Sequence, residues 1–416
     1  MVKNKIVFDE KKIEAYALAN AITHDGKAQA SAVLPKLFQE GLLKEQIKDV
    51  MPLIQKIVNQ VNAMKKEDQQ KRFAELEGLV KKRETREGLP PLPNAQQGKV
   101  IMRFAPFPSG PLHIGNARPA ILNYEYCKMY DGKMFLVIDD TMGSEEKPIV
   151  KEAYDLIPEA LDWLQVKYSL PIIYKSDRLE LYYKYAEEII RKEKAYVCFC
   201  NAETLHKNRV EGKDCEHRKF SVERNLEEWH KMLKGDYKKG QAILRLKTDM
   251  KHKNPAFRDR VLFRITNKEH PRVGIKYKVW PLLEFSWAID DHLLGITHVL
   301  RGKELMIETE MEKYLFNIFG WKQPEFIHSG IIKLEGIKIS KSKSAKEVKE
   351  GIYKGWDDPR TWSLQSLKRR GIKPEAIRAF ILALGLTQTE ATVPIESLYK
   401  ENKKFVESSN RYFFIA

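Results

Sequence analysis

The residues whose types and spacing could do chemistry fall in three clusters of the 416-residue chain. The first is RFAPFPSGPLHIGNAR, from Arg103 to Arg118. It reads as a Pro- and Gly-shaped loop between a short apolar strand and a helix, where free backbone N–H groups and the helix dipole favour a phosphate. His113 stands on this loop as a donor to a developing phosphate charge. Gly115 lets a flat ring approach the backbone, because any Cβ would block it. HIGN alone could be a plain strand-to-helix turn with a satisfied histidine, and it is the flanking loop that argues against this. The second cluster is KISKSKS, from Lys338 to Ser344, just after a strand-like run. Lysine offers a compact, movable point charge, which suits a triphosphate whose charge shifts during reaction. A Lys-rich loop alone is more often a solvated surface. In the third cluster, Cys198, Cys200, Cys215 and His217 form two close pairs. Four such ligands can close a tetrahedral zinc site, although one-residue gaps are tighter than the common spacing and reduced, unligated thiols are the alternative. Cys127, on a predicted helix, is expected in the core.

The elements that must position these clusters follow from periodicity. Residues 7–86 read as helix, with Ile13, Tyr16, Ala17 and Ala21 at three and four spacing. GLPPLPNAQQGK, Gly88 to Lys99, then concentrates proline and glycine into a linker. Val100 to Phe104 reads as a strand, Gly115 to Tyr130 as a helix and Phe135 to Ile138 as a second strand, an order that starts a βαβ unit. A polar, Lys-rich stretch from about Ala195 to Lys276 reads as an insertion, too polar to build much core of its own. Strand and helix resume from Val279 to Phe319, Phe326 to Lys333 is strand-like, and the text from Ala345 onward is helical and basic.

Composition sets the wider frame. Lys plus Arg number 73 against 57 Asp plus Glu, a net charge of +16 that points to polyanionic partners, nucleic acid or phosphates. The longest apolar stretch, around Ala379 to Leu386, falls well short of the roughly 20 residues of a membrane span. The start, MVKNKIVFDEKK, has no apolar secretory core. Four cysteines, three of them crowded together, argue against a disulfide framework, and a reducing, cytoplasmic location is expected.

HIGN after the first strand and KISKS after the last are similar to the paired nucleotide signatures of class I aminoacyl-tRNA synthetases. Within that class RFAPFPSGPLHIGNAR, DDT at Asp139 to Thr141, LRLKTDMKHKNPAFRD from Leu244, DDHLLGITHVLRGKE from Asp290, FGW at Phe319 and GWDDPR from Gly355 resemble glutamyl-tRNA synthetase of the archaeal type. The resemblance runs over nearly the whole chain. It implies an α/β fold: a doubly wound Rossmann-type catalytic core with an inserted acceptor-binding subdomain, a helical N-terminal domain and a helical C-terminal stem-contact region. The corresponding boundaries are 1–87 for the N-terminal domain, 88–99 for the linker, 100–194 and 277–344 for the halves of the core, 195–276 for the insertion and 345–416 for the stem-contact region. The family's anticodon-reading barrels have no counterpart in the sequence.

The same resemblance implies the roles. His113, Asn116, Lys338 and Lys341 are the catalytic positions, and Pro108, Gly115 and Ser340 join them around ATP with Mg²⁺. Arg103, Ala105, Asp139 and Arg301 hold L-glutamate, the two arginines gripping its two carboxylates and Asp139 its ammonium. A similar cysteine cluster in the family makes a structural Zn²⁺ the expectation for Cys198, Cys200, Cys215 and His217. The insertion and basic tail are expected to meet the acceptor arm and stem of tRNA, with the chain a monomer away from membranes. Departures from the family pattern are Phe107 in the signature loop, Val137 before DDT, MGSEEKP after Thr141, and Leu283 and Trp287, which fall where the family lines its amino-acid pocket. Two alternatives follow, a glutaminyl-tRNA synthetase and a catalytically weakened tRNA-binding paralogue; Arg103 within RFAP favours glutamate over glutamine.

Overall fold

Helix α1, Glu10–Thr23, starts where the Asp9 carboxylate accepts from the Lys11 N–H at 3.0 Å, satisfying one of the donors that a helix N-terminus leaves open. Its apolar stripe of Ile13, Ala17, Leu18 and Ala21 is fully buried. It packs with Val33 and Leu37 of α2, Ala30–Gln39, with Ile54, Val58 and Val61 of α3, Ile47–Asn62, and with Leu76 of α4, Lys66–Leu76. These helices form the first of two units, Met1–Glu87; the second is Gly88–Ala416. The computed structural model describes residues 9–80, 88–142, 148–335 and 341–406.

The second unit opens with residues 88–99 held against its own core. Leu92 is buried, its N–H donating to Tyr130 Oη at 3.0 Å, and the Tyr126 hydroxyl donates to Pro90 O at 3.0 Å. Strand β1, Ile101–Phe104, leads to α5, Ile114–Met129, then β2, Lys133–Ile138, α6, Ala153–Trp163, and β3, Ser169–Tyr174. The strands lie parallel in the order β1-β2-β3. Helix α7, Leu179–Arg191, then leads into an antiparallel sheet. It is built from β4, Ala195–Cys198, helices α8, Ala202–Glu211, and α9, Val222–Lys234, then β5, Ile243–Leu246, β6, Val261–Ile265, and β7, Val279–Pro281, in the order β4-β5-β6-β7.

Two features of this insert differ from the sequence expectation. Its sheet runs past residue 276 through β7. It also buries Val197, Trp229, Met232, Leu244, Leu246, Leu262 and Phe263, packed with Leu179, Tyr182 and Ala186 of α7. The strands carry short apolar runs, AYVC and VLF, that are buried at adjacent positions, while the lysines and other polar residues that make the stretch read as polar fall largely between them.

The parallel core resumes with α10, Leu283–Leu293, β8, His298–Gly302, α11, Met306–Phe319, and β9, Glu325–Ser329, with β9 parallel to β8. Thr297, just before β8, donates its N–H to Ile101 O at 2.9 Å, and Ile101 N–H donates to Thr297 Oγ1 at 2.9 Å. Strands β1 and β8 therefore begin side by side, the chain stepping outward through β2 and β3 on one flank and through β9 on the other. That reversal is the switch point of a doubly wound sheet, and its ligand crevice lies beyond the strands' carboxyl ends.

Strand β10, Ile332–Leu334, and α12, Lys341–Lys349, precede α13, Leu364–Arg369, α14, Pro374–Leu384, β11, Ala391–Val393, and α15, Ile395–Val406. The basic tail is thus not purely helical. Short β11 pairs parallel to β10, a partner some way back in the chain that no local pattern reveals. Leu364, Leu367, Ile377, Phe380 and Leu398 from this tail share one core with Met102, Leu136 and Ile121. Cys127 lies in that core, and burial pushes its thiol up to about 12.

Candidate active site

The helix signal at HIGN has a specific local cause. His113 is the N-cap of α5, and its Nδ1 accepts from Gly115 N–H at 3.1 Å while Asn116 Oδ1 accepts from His113 N–H at 3.2 Å. This is a capping box with imidazole in place of the usual hydroxyl. An Nδ1 that accepts leaves the proton of the neutral ring on Nε2, which makes Nε2 a donor. Gly115 is required for a reason nearer home than a ligand: a Cβ there would lie 2.9 Å from His113 Cε1, so the flat ring against its backbone is the imidazole itself.

The loop before His113 is braced by the GWDDPR segment. Gly110 has φ +136°, and a Cβ on it would stand 3.1 Å from the Trp356 ring. Leu364 N–H donates to Leu112 O at 2.8 Å, and Ser363 Oγ donates to Trp356 O at 2.6 Å. Pro108 O accepts from Val150 N–H at 2.9 Å, and Pro106 O accepts from Asp139 N–H at 3.1 Å, which ties the loop to the end of β2.

A cavity of about 900 Å³ opens over the N-terminus of α5, within the range of small-ligand sites. His113, Gly115 and Asn116 line one side; Gly302, Ser329, Gly330 and Lys333 line the other, from the carboxyl ends of β8 and β9 and from β10. Arg118 supports the far wall by donating to Gly330 O and, at 2.8 Å, to Gly385 O. Lys338 and Ser340 of the second signature lie outside the described residues, and Lys341 is the first residue of α12.

Beside the cavity, the positions that the resemblance gives to glutamate come together from three strand ends. Arg103 of β1 makes a bidentate pair with Asp291 of α10, Nε to Oδ1 at 2.6 Å and Nη2 to Oδ2 at 2.9 Å. Arg301 of β8 donates from Nη1 to Glu312 Oε1 at 2.7 Å and from Nη2 to Thr309 Oγ1 at 2.6 Å. Burial pushes the Glu312 carboxyl up to about 7, against the pull of Arg301. Asp139, after β2, accepts from Trp287 Nε1 at 2.8 Å and Thr141 Oγ1 at 3.2 Å, with Lys175 Nζ at 3.4 Å. Ala105 continues β1 into the loop, half-buried. Asp140, next to Asp139, has a bracing role, accepting from Ser176 N–H at 2.8 Å, Ser176 Oγ at 2.7 Å and Tyr154 Oη at 2.9 Å.

Trp287 stands in the middle of this group. Its ring centroid is 5.2 Å from Arg103 Cζ, 5.2 Å from Lys175 Nζ and 4.8 Å from Arg301 Cζ. Sequence reasoning found the arginines and Asp139, and marked Trp287 only as a departure. Lys175, Asp291 and Glu312 were missed. Lys175 had one available signal, a lone cation following the apolar strand text SLPIIY. Phe107 is half-buried in the loop and Val137 is buried in β2.

The Cys/His cluster is assembled from the end of β4 and the turn before α9. Cys198 Sγ is 3.8 Å from Cys215 Sγ and 3.9 Å from His217 Nδ1, which is 3.6 Å from Cys200 Sγ. All four ligand atoms lie within 4.8 Å of one another. A tetrahedral ion with Zn–S bonds of about 2.3 Å separates its sulfurs by about 3.8 Å, so the set fits such an ion. The hydrogen bond from Cys198 pulls the Cys215 thiol down to about 4, with Arg245 Nη1 3.8 Å away adding to the effect. Thiolate is the ligand form. Among the described residues no helix is long and apolar enough to cross a membrane.

Comparison with known proteins identifies the family. Residues 99–408 match the family described as tRNA synthetases class I (E and Q), catalytic domain. The chain is 48% identical to a glutamate–tRNA ligase of Pyrococcus furiosus, over 98% of this chain and 72% of that one. It is 47% identical to a glutamate–tRNA ligase of Methanocaldococcus jannaschii, over 97% and 72%. A solved glutamate tRNA ligase from Elizabethkingia meningosepticum in complex with its amino acid superposes with a TM-score of 0.54 at 21% identity, covering 74% of this chain and 70% of that chain, a likeness of fold. With the signature loop capping α5 at the switch point of a doubly wound sheet, the chain belongs to the class I tRNA synthetases, among the archaeal-type glutamate–tRNA ligases.

Proposed function

We propose that this ligase activates L-glutamate with ATP at the α5 cavity and passes the glutamyl group to the 3′ end of tRNA(Glu). The observation that carries the reading is His113: its Nδ1 is committed to the helix cap, and it lines the cavity next to the strand ends that carry Arg103, Asp139 and Arg301. In the first step a glutamate carboxylate oxygen attacks the α-phosphorus of ATP. The new O–P bond gives glutamyl-adenylate, and the bond to the β-phosphate breaks with release of pyrophosphate. The side chains need not act as nucleophiles, since the substrate supplies one. They position the reactants and neutralise charge.

His113 Nε2–H and the N–H groups at the start of α5 donate to the phosphate oxygens as charge builds there. Lys338 and Lys341 are assigned the countercharge for the leaving pyrophosphate, with Asn116, Gly115, Pro108 and Ser340 shaping the nucleotide site and Mg²⁺ bound with the phosphates. In the second step a hydroxyl of the terminal ribose attacks the adenylate carbonyl and AMP leaves. Arg103, Ala105, Asp139 and Arg301 are assigned to glutamate.

The insertion is the assigned acceptor-arm surface, held by a zinc ion on Cys198, Cys200, Cys215 and His217. The stem-contact region contributes basic residues, whose phosphate contacts make binding salt-dependent. We assign the enzyme to the cytoplasm. ATP–pyrophosphate exchange with each amino acid, with and without tRNA, tests the reading. Exchange dependent on glutamate is expected. Exchange with glutamine alone would transfer the assignment to the glutamine enzymes, and none under any condition would favour a tRNA-binding paralogue.

A further inference from the structure

Asp139 is 1% exposed, Lys175 is fully buried and Trp287 is 5% exposed. The Lys175 ammonium lies 3.4 Å from Asp139 Oδ2 and donates to Ser286 Oγ at 2.8 Å, while the Trp287 indole N–H donates to the same Oδ2 at 2.8 Å. The carboxylate assigned to the substrate's ammonium is thus already faced by a lysine of the protein itself, whose charge burial opposes and Asp139 and Asp290 support. A second ammonium could not simply be added. Two like charges on one carboxylate in a dry site repel strongly, because little solvent screens them. The space is also taken, since the indole fills the centre of the ring made by Arg103, Lys175 and Arg301.

The two arginines point the same way. Arg103 spends Nε and Nη2 on Asp291. Arg301 spends both terminal nitrogens, yet its Nε is buried with no hydrogen-bond partner, as is Oε2 of Glu312. Buried polar atoms are seldom left so, and an incoming carboxylate would satisfy the guanidinium.

We propose that Lys175 and Trp287 form a built-in surrogate for the substrate ammonium, holding Asp139 until glutamate displaces them, so that this pair sets the enzyme's affinity for its amino acid. The inference rests on reading Asp139 as the ammonium-binding group. Lysine suits the part because its flexible stem lets the charge swing away without breaking the fold, whereas the indole N–H leaves Asp139 only if the ring turns. Lys175 and Trp287 are positioning residues acting through Asp139; neither touches the reacting atoms.

Intrinsic fluorescence of the full chain tests displacement directly, with glutamate compared against glutarate, which has the same two carboxylates and no ammonium. Glutamate is expected to give a saturable change in emission that Trp287→Phe abolishes, and glutarate none. Equal changes with both ligands, or no change with glutamate, would overturn the proposal. The comparison of glutamate with glutarate uses the unaltered chain, so it decides even where a variant folds poorly, and Trp287→Phe assigns the signal among the seven tryptophans. In exchange assays with tRNA present, Lys175→Gln is expected to lower the KM for glutamate at least about threefold, with kcat moving less, as removal of a competitor for binding requires. A KM that stays the same or rises in a variant of unchanged melting temperature would contradict it. If no amino acid supports exchange while glutamate still shifts the fluorescence, the ligase reading fails and the displacement stands.

Discussion

Around Trp287, the cations Arg103, Arg301 and Lys175 are buried with carboxylates beside them, whereas at His113 the half-buried donors of a helix N-terminus face a cavity of about 900 Å³. The amino-acid side is neutralised in advance, whereas the phosphate side presents the start of a helix to the cavity. On the first side a substrate trades one set of partners for another, so its affinity is a small difference between large terms. On the second, a polyanion meets donors already oriented for it, and the gain is greatest where charge builds during reaction. Substitutions on the two sides should therefore fail differently, in folding on one and in catalysis on the other.

The largest expected effect is on folding. Arg103→Ala leaves Asp291 buried without its partner, and a loss of about 3–5 kcal/mol in unfolding free energy is expected by denaturant titration. A loss below about 1 kcal/mol would mean that the pair is not desolvated as described. Next is His113→Asn, which keeps an N-cap acceptor and removes the ring donor. Melting should stay within about 1 kcal/mol of the parent. Exchange should fall by about 10²–10³ in kcat. If activity and melting fall together, the imidazole is only a cap.

Metal analysis gives the third contrast, in a region remote in chain from both signatures. One zinc per chain is expected, and Cys215→Ser should abolish it and lower the melting temperature of the insert. Retention of metal by that variant would remove Cys215 from the ligand set.

The smallest effect is a pH slope. The Glu312 carboxyl is raised from 4.5 to about 7 in the folded protein, so the folded state holds a proton that the unfolded state releases. Its contribution to stability is present below about 4.5 and is lost as pH rises through about 7. Glu312→Gln should flatten that part of the stability profile, and an unchanged slope would place the titration elsewhere.

The same contrast explains what could be read without the fold. His113, Gly115 and Asn116 were legible because the whole signature loop, RFAPFPSGPLHIGNAR, is written in consecutive residues, whereas the cap they form was not. The start of a βαβ unit was legible from the strand and helix text around it, and the doubly wound order came from the resemblance to class I synthetases. The partners of the arginines were not, since Arg103 meets Asp291 only when β1 lies beside β8, and Lys175 reaches Asp139 and Ser286 across three elements. The core of the insertion and strand β11 were hidden for a related reason, because such short strands leave no periodic trace until a neighbour covers them.

The central claim is that placed cations at the second signature serve the phosphate chemistry and not tRNA adhesion. Glutamate-dependent ATP–pyrophosphate exchange, measured beside tRNA binding for Lys341→Ala, tests it most directly. The account predicts exchange reduced about 10²–10³-fold with tRNA affinity nearly unchanged. Equal loss of both would contradict it.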